Sequence, residues 1–183
     1  ENVWLSYTDK NILEDINLDI YQGDFLLITG PNGGGKTSLL RTILRLQSPT
    51  KGRISFFRQG EPVSSLDMGY LPQKNSIDSR FPIMGNTQKG NTKFDSKKEI
   101  DEMLDLMGIT ALRNKPIGVL SGGQLQRSLF GRALISKPEM LILDEPASYI
   151  DRQFGNRMFE ILRDLSSNGT TIMMVSHQIE PFI

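Results

Sequence analysis

The stretch Phe25-Leu26-Leu27-Ile28-Thr29-Gly30-Pro31-Asn32-Gly33-Gly34-Gly35-Lys36-Thr37-Ser38 decides the fold. Its first four residues are apolar without polar alternation, as expected of a strand covered on both faces in a parallel sheet. Gly30 to Thr37 then follow the spacing Gly, four residues, Gly-Lys-Thr, and lead into a helical segment. Glycines let the backbone turn with its N–H groups inward around phosphate oxygens, and the helix offers its positive N-terminal end. In such a loop Lys36 would neutralise the β- and γ-phosphates of a nucleotide. Thr37 gives its hydroxyl to Mg²⁺, whose octahedral shell is completed by phosphate oxygens and waters. A Gly-rich turn without function is the competing reading, and the strand and helix flanks argue against it.

Working outward, Met140-Leu141-Ile142-Leu143 and Ile172-Met173-Met174-Val175 are further unalternated apolar runs, which points to an α/β architecture with a mainly parallel sheet. Phe154, Met158, Ile161, Leu162 and Leu165 share one helix face, with Asp151 as its expected N-cap and a stop at Asn168-Gly169. Ser96-Lys97-Lys98-Glu99 reads as a capping box before Ile100, Met103, Leu104 and Met107, with Gly108 ending that helix. Val3, Leu5, Leu18 and Ile20 around polar turns predict antiparallel strands flanking the parallel core. The polar, Gly-rich run from Gly85 to Thr92 predicts a flexible loop.

At the end of the Met140–Leu143 strand stand Asp144 and Glu145, where carboxylates face a ligand at the C-terminal edge of a parallel sheet. Asp144 suits Mg²⁺, usually through water, and Glu145 suits a general base that polarises the attacking water. A solvated acidic turn before Pro146 is the alternative. With 183 residues, 38% of them hydrophobic, the chain is sized for one domain. Lys plus Arg and Asp plus Glu both number 21, so no global footprint for nucleic acid or an anionic membrane is present. No apolar run approaches the roughly 20 residues that span a bilayer, no signal peptide is evident, and the chain reads as soluble. Without Cys and with one His, a disulfide and an ordinary Cys/His zinc cage are excluded.

Leu120-Ser121-Gly122-Gly123-Gln124, followed by Leu125-Gln126-Arg127, opens another helix. Ser121 is a ready N-cap, and the two glycines allow close backbone approach, making a second anion site. With the Gly30–Thr37 loop and the Asp144-Glu145 strand end, this run closely resembles the ABC ATPase family. The resemblance implies a P-loop fold with a parallel core, an antiparallel β subdomain and a shortened helical subdomain. It implies one domain over 1–183, with a core at 1–73 and 137–183 and a helical part at about 74–136. It implies binding of ATP with Mg²⁺ by Gly30, Pro31, Asn32, Gly33, Gly34, Gly35, Lys36, Thr37 and Ser38, and hydrolysis at Glu145. Ser121 to Gln124 would meet the γ-phosphate held by a second ATPase subunit, read as another copy of this chain, in a head-to-tail dimer around two ATP. Further positions match in order. Tyr7 resembles the aromatic that stacks on adenine, and Gln73 the glutamine that reaches Mg²⁺ and water. Asp151 lies in the loop that crosses the dimer, a role that can coexist with capping, and His177 resembles the histidine that contacts the γ-phosphate. As alternatives, Tyr7 is an ordinary strand aromatic, Gln73 a surface residue and His177 a structural histidine.

Ile77-Asp78 and Arg80-Phe81-Pro82-Ile83, with the triple glycine, look like the zinc and manganese importer branch. The family pattern there continues into a longer helical subdomain, and beyond His177 into more helix. The implied function is the ATP-hydrolysing motor of a transporter, peripheral on the cytoplasmic face of the membrane. Its implied partners are a separate permease and an extracytoplasmic metal-binding protein. An ABC-type ATPase acting on nucleic acid or ribosomes is the alternative, disfavoured because no coiled-coil insertion, zinc module or basic surface is seen. A degenerate regulator is disfavoured because Lys36, Asp144, Glu145 and His177 are all present.

Overall fold

The computed structural model describes residues 1–8, 10–73 and 97–177. In chain order the elements are β1 (Val3–Tyr7), β2 (Lys10–Ile16), β3 (Phe25–Ile28), α1 (Lys36–Ile43), β4 (Phe56–Arg58), β5 (Glu61–Val63), β6 (Met68–Leu71), α2 (Lys97–Leu106), α3 (Gly122–Leu134), β7 (Met140–Asp144), α4 (Arg152–Ser167) and β8 (Thr171–Val175). Two 3-10 turns, Thr110–Leu112 and Ile117–Val119, join α2 to α3.

The central sheet has the order β3-β8-β7-β6, all parallel. β7 and β8 are buried at every position, and successive residues face opposite ways. Met140, Ile142, Met173 and Val175 pack with Leu40 and Ile43 of α1. Leu141, Leu143, Ile172 and Met174 pack with Leu129 and Phe130 of α3 and Met158 and Leu162 of α4. Helices on both faces are why these strands carry continuous apolar runs. β6 lies so close to α3 that a Cβ on Gly69 would stand 2.2 Å from the carbonyl oxygen of Ala133, a position only glycine can fill.

The predicted α4 ends where expected: the Asp151 carboxylate accepts from the Phe154 N–H at 2.9 Å, and Gly169 follows the C-cap with φ 89°. Past α2, Gly108 has φ 65° and the Ile109 N–H donates to the Leu104 carbonyl, a left-handed helix stop. The Ser96 cap, the Gly85–Thr92 loop and the residues Ile77, Asp78 and Arg80 to Ile83 lie outside the described residues.

One expectation is corrected. β1 and β2 pair antiparallel over a small core of Val3, Leu5 and Leu13, but Leu18 and Ile20 belong to no strand. β1 is already paired along its length with Lys10–Ile16, and Asn17 turns the chain away, accepting from the Asn2 N–H at 2.7 Å and donating to the Asp15 carbonyl at 3.1 Å. Ile20 then packs on the α1 side of the sheet and Leu18 stays exposed. Among the described residues no helix is long and apolar enough to cross a membrane.

Candidate nucleotide site

At the C-terminal edge of the sheet, β3 runs into residues 30–35 and then α1. Gly35 is the N-cap at φ 82°, and a Cβ there would lie 2.7 Å from the Ile12 carbonyl, so both backbone and space require glycine. α1 has no acidic residue of its own in its first turn. Lys36 Nζ folds back to donate to the carbonyls of Gly30 and Pro31, both at 2.8 Å.

β7 lies two strands away and delivers Asp144 to the same place. The Thr37 hydroxyl donates to Asp144 Oδ2 at 2.8 Å. Asp144 is buried, and that burial pushes its carboxyl above the usual range, offset by the Thr37 hydrogen bond and by the charges of Arg41 and Lys36. Glu145 follows with φ 53°, its N–H donating to the Val175 carbonyl of β8 at 2.9 Å. His177 Nε2 approaches Glu145 Oε1 to 3.1 Å. That approach makes no hydrogen bond, so Oε1 is buried without a hydrogen-bond partner.

These groups line one cleft of about 260 Å³ with Tyr7, Ile12, residues 32–38, Gln73 and Val175. Tyr7 is half exposed at the rim, its hydroxyl donating to Gln47 Oε1 at 2.7 Å. Gly30 and Pro31 are not among the lining residues and meet the site as carbonyl acceptors for Lys36. Ser121, Gly122, Gly123, Gln124 and Asp151 are not among the lining residues. Ser121 caps α3 in a full capping box: its hydroxyl accepts from the Gln124 N–H at 3.2 Å, and Gln124 Oε1 accepts from the Ser121 N–H at 3.1 Å. Asp151 caps α4 and pairs with Arg127.

A hydroxyl and a buried carboxylate in contact, beside a carboxylate oxygen with no hydrogen-bond partner, form an oxygen donor set that fits a hard divalent cation. No cluster of three or more His, Asp or Glu among the described residues could cage a metal. The donor set therefore suits Mg²⁺ that keeps waters and shares phosphate oxygens. Three contributors were not singled out from the sequence. Ile12 and Gln47 lie far along the chain from what they touch, and Arg41 carries no motif. Only the position of Arg41 on the helix that follows the loop could have drawn attention to it.

The family model for ABC transporters matches residues 13–148. The zinc import ATP-binding protein ZnuC of Haemophilus influenzae is 34% identical over 98% of this chain, and the chain spans 65% of that relative's length. A probable metal transport system ATP-binding protein of Chlamydia pneumoniae is 39% identical, over 92% of this chain and 74% of its own. Among solved structures, the dimeric ATP-binding cassette MJ0796 in a post-hydrolysis state with ADP and Pi superposes with a TM-score of 0.84 at 26% identity, covering 99% of this chain and 88% of that one. The parallel sheet, the loop before α1 and this match over most of the chain lead to one conclusion: the chain belongs to the ABC transporter family.

Proposed function

We propose that this chain is the ATP-binding and ATP-hydrolysing subunit of an ABC transporter, working as a dimer around two ATP to drive a membrane permease. The observation that carries the reading is the bond from Thr37 to Asp144, which joins the phosphate loop to the strand end bearing Glu145 in one cleft. When ATP enters, Tyr7 stacks on the adenine and Lys36 leaves the Gly30 and Pro31 carbonyls for the β- and γ-phosphates. Residues 32–38 turn backbone N–H groups to the same oxygens. Thr37, Asp144 and Gln73 would hold Mg²⁺, which when bound neutralises charge on the phosphate oxygens. Glu145 accepts a proton from the water whose oxygen attacks the γ-phosphorus as the bond to the β–γ bridging oxygen breaks, and His177 contacts the γ-phosphate. Ser121 to Gln124 and Asp151 lie outside their own cleft, which supports their use against the ATP of a second copy.

The partition into a core at 1–73 and 137–183 and a helical part at 74–136 goes with this reading. The zinc import and metal transport relatives support a metal ion such as zinc or manganese as the cargo. A permease, an extracytoplasmic metal-binding protein and a peripheral place on the cytoplasmic face of the membrane follow from the same reading. The test is Glu145→Gln purified with ATP and Mg²⁺ from detergent-solubilised cells: light scattering should report a dimer, and mass spectrometry a polytopic permease beside it. Co-purified ribosomes or DNA would overturn the transporter reading.

A further inference from the structure

The loop after Glu145 is fastened to α3 at both ends. Nε2 of Gln126, a residue only 2% exposed, donates to the Pro146 carbonyl at 3.2 Å. One residue on, the Arg127 guanidinium pairs with the Asp151 carboxylate and lies over the Phe154 ring, 4.4 Å from its centroid. Between these two, a Cβ on Gly123 would come 3.0 Å from the Tyr149 carbonyl, so α3 rests against the middle of the loop as well. Gly123, Gln126 and Arg127 stand at i, i+3 and i+4, one face of the helix. Gln126 is a polar residue amid buried apolar neighbours, Leu125, Leu129 and Phe130. Such a group is kept buried only if it is hydrogen-bonded, and its partner is this loop.

What the loop holds is Glu145, whose φ of 53° is a left-handed conformation that a residue with a Cβ keeps only where its surroundings over-determine it. Its N–H is tied to Val175 and its carbonyl accepts from the Ser148 N–H at 3.1 Å. The next carbonyl along the chain, that of Pro146, is the one Gln126 holds. We propose that Gln126 and Arg127 are positioning residues for Glu145: they clamp residues 146–151 to α3 and so fix the backbone from which the Glu145 carboxylate is aimed. Ser121 caps α3, so the same clamp links the helix end proposed to face a second subunit to the backbone of Glu145. The inference rests on the reading of Glu145 as the base.

Gln126→Met keeps length and helix preference but removes the donor, and Arg127→Gln releases the other end at a partly exposed site. ATP turnover and ATP affinity are measured for both, alone and with Glu145→Gln. Each single variant should lose roughly 5- to 10-fold in kcat, the scale of one hydrogen bond, with ATP affinity and KM unchanged. In the Glu145→Gln background neither change should lower the residual rate further, since no base remains to be aimed. Unchanged kcat, a loss of affinity in step with kcat, or a full additional loss in the Glu145→Gln background would each overturn the proposal. If Gln126→Met does not fold, Arg127→Gln decides alone. If Glu145→Gln itself keeps normal turnover, the reading of the base fails first, and the clamp falls with it.

Discussion

Strand β7 carries a carboxylate at each end, and the two ends are built in opposite ways. Glu139, just before Met140, is saturated: Arg58 grips it through two bonds, Nε to Oε1 at 2.7 Å and NH2 to Oε2 at 2.6 Å, and the Asp67 N–H adds a third at 2.9 Å. The Arg58 hydrogen bond holds its carboxyl below the usual range. At the other end burial pushes Asp144 upward, and Glu145 keeps a buried oxygen without a hydrogen-bond partner on a left-handed backbone. Carboxylates whose bonding capacity the protein has filled serve as fasteners. Asp144, pushed upward by burial, and the buried Glu145 oxygen that no hydrogen bond fills suit a cation, a phosphate or a water. On the proposed reading the same strand has a structural end and a chemical end, in keeping with the general placement of ligands at the C-terminal edge of parallel sheets.

The difference can be broken by substitution. The largest effect is expected from Lys36→Ala, which removes the cation of the phosphate loop. ATP affinity, measured by calorimetry, should fall by about 100-fold or more, the scale expected when a charge-assisted hydrogen bond to phosphate is removed from a desolvated site. Binding within a few-fold of the unsubstituted chain would separate the cleft from the nucleotide.

A smaller effect sharpens the comparison through pH. The raised carboxyl of Asp144 favours its protonated form in the folded, nucleotide-free chain. Its contribution to stability is therefore present below the ordinary Asp value of 3.8 and is lost as pH rises through the higher folded value. Glu139 is held low, so its contribution is present above the ordinary Glu value of 4.5 and is lost as pH falls through the lower folded value. Melting temperatures of Asp144→Asn and Glu139→Gln against the unsubstituted chain should drift in opposite directions between about pH 3 and pH 6, by a few degrees in each case. Parallel drifts would mean that the two ends are not electrostatic opposites.

The chemical end was far more legible than the structural one. Gly30 to Thr37 and Asp144-Glu145 are local patterns, each readable because a strand end and a turn bring consecutive residues to one point. Continuous apolar runs revealed three of the four central strands, since two-sided burial leaves no alternation to misread. The caps at Asp151 and Ser121 were legible too, because a cap acts on N–H groups within three residues. Leu18 and Ile20 misled because apolar residues between polar ones show a side to bury but not a strand to pair with. Glu139 and Arg58 are 81 residues apart, and Gln126 and Pro146 are 20 apart. Such partners meet only through the fold, and no local spacing announces them.

The most direct test of the central claim replaces Glu with Gln at both ends of β7 and compares single-turnover ATP hydrolysis side by side. Glu145→Gln should keep ATP binding and lose about 10²- to 10⁴-fold in rate, the worth of a positioned general base, while Glu139→Gln should hydrolyse at about the unsubstituted rate. Equal losses at the two positions, or normal hydrolysis by Glu145→Gln, would contradict the assignment of the chemistry to the Asp144-Glu145 end.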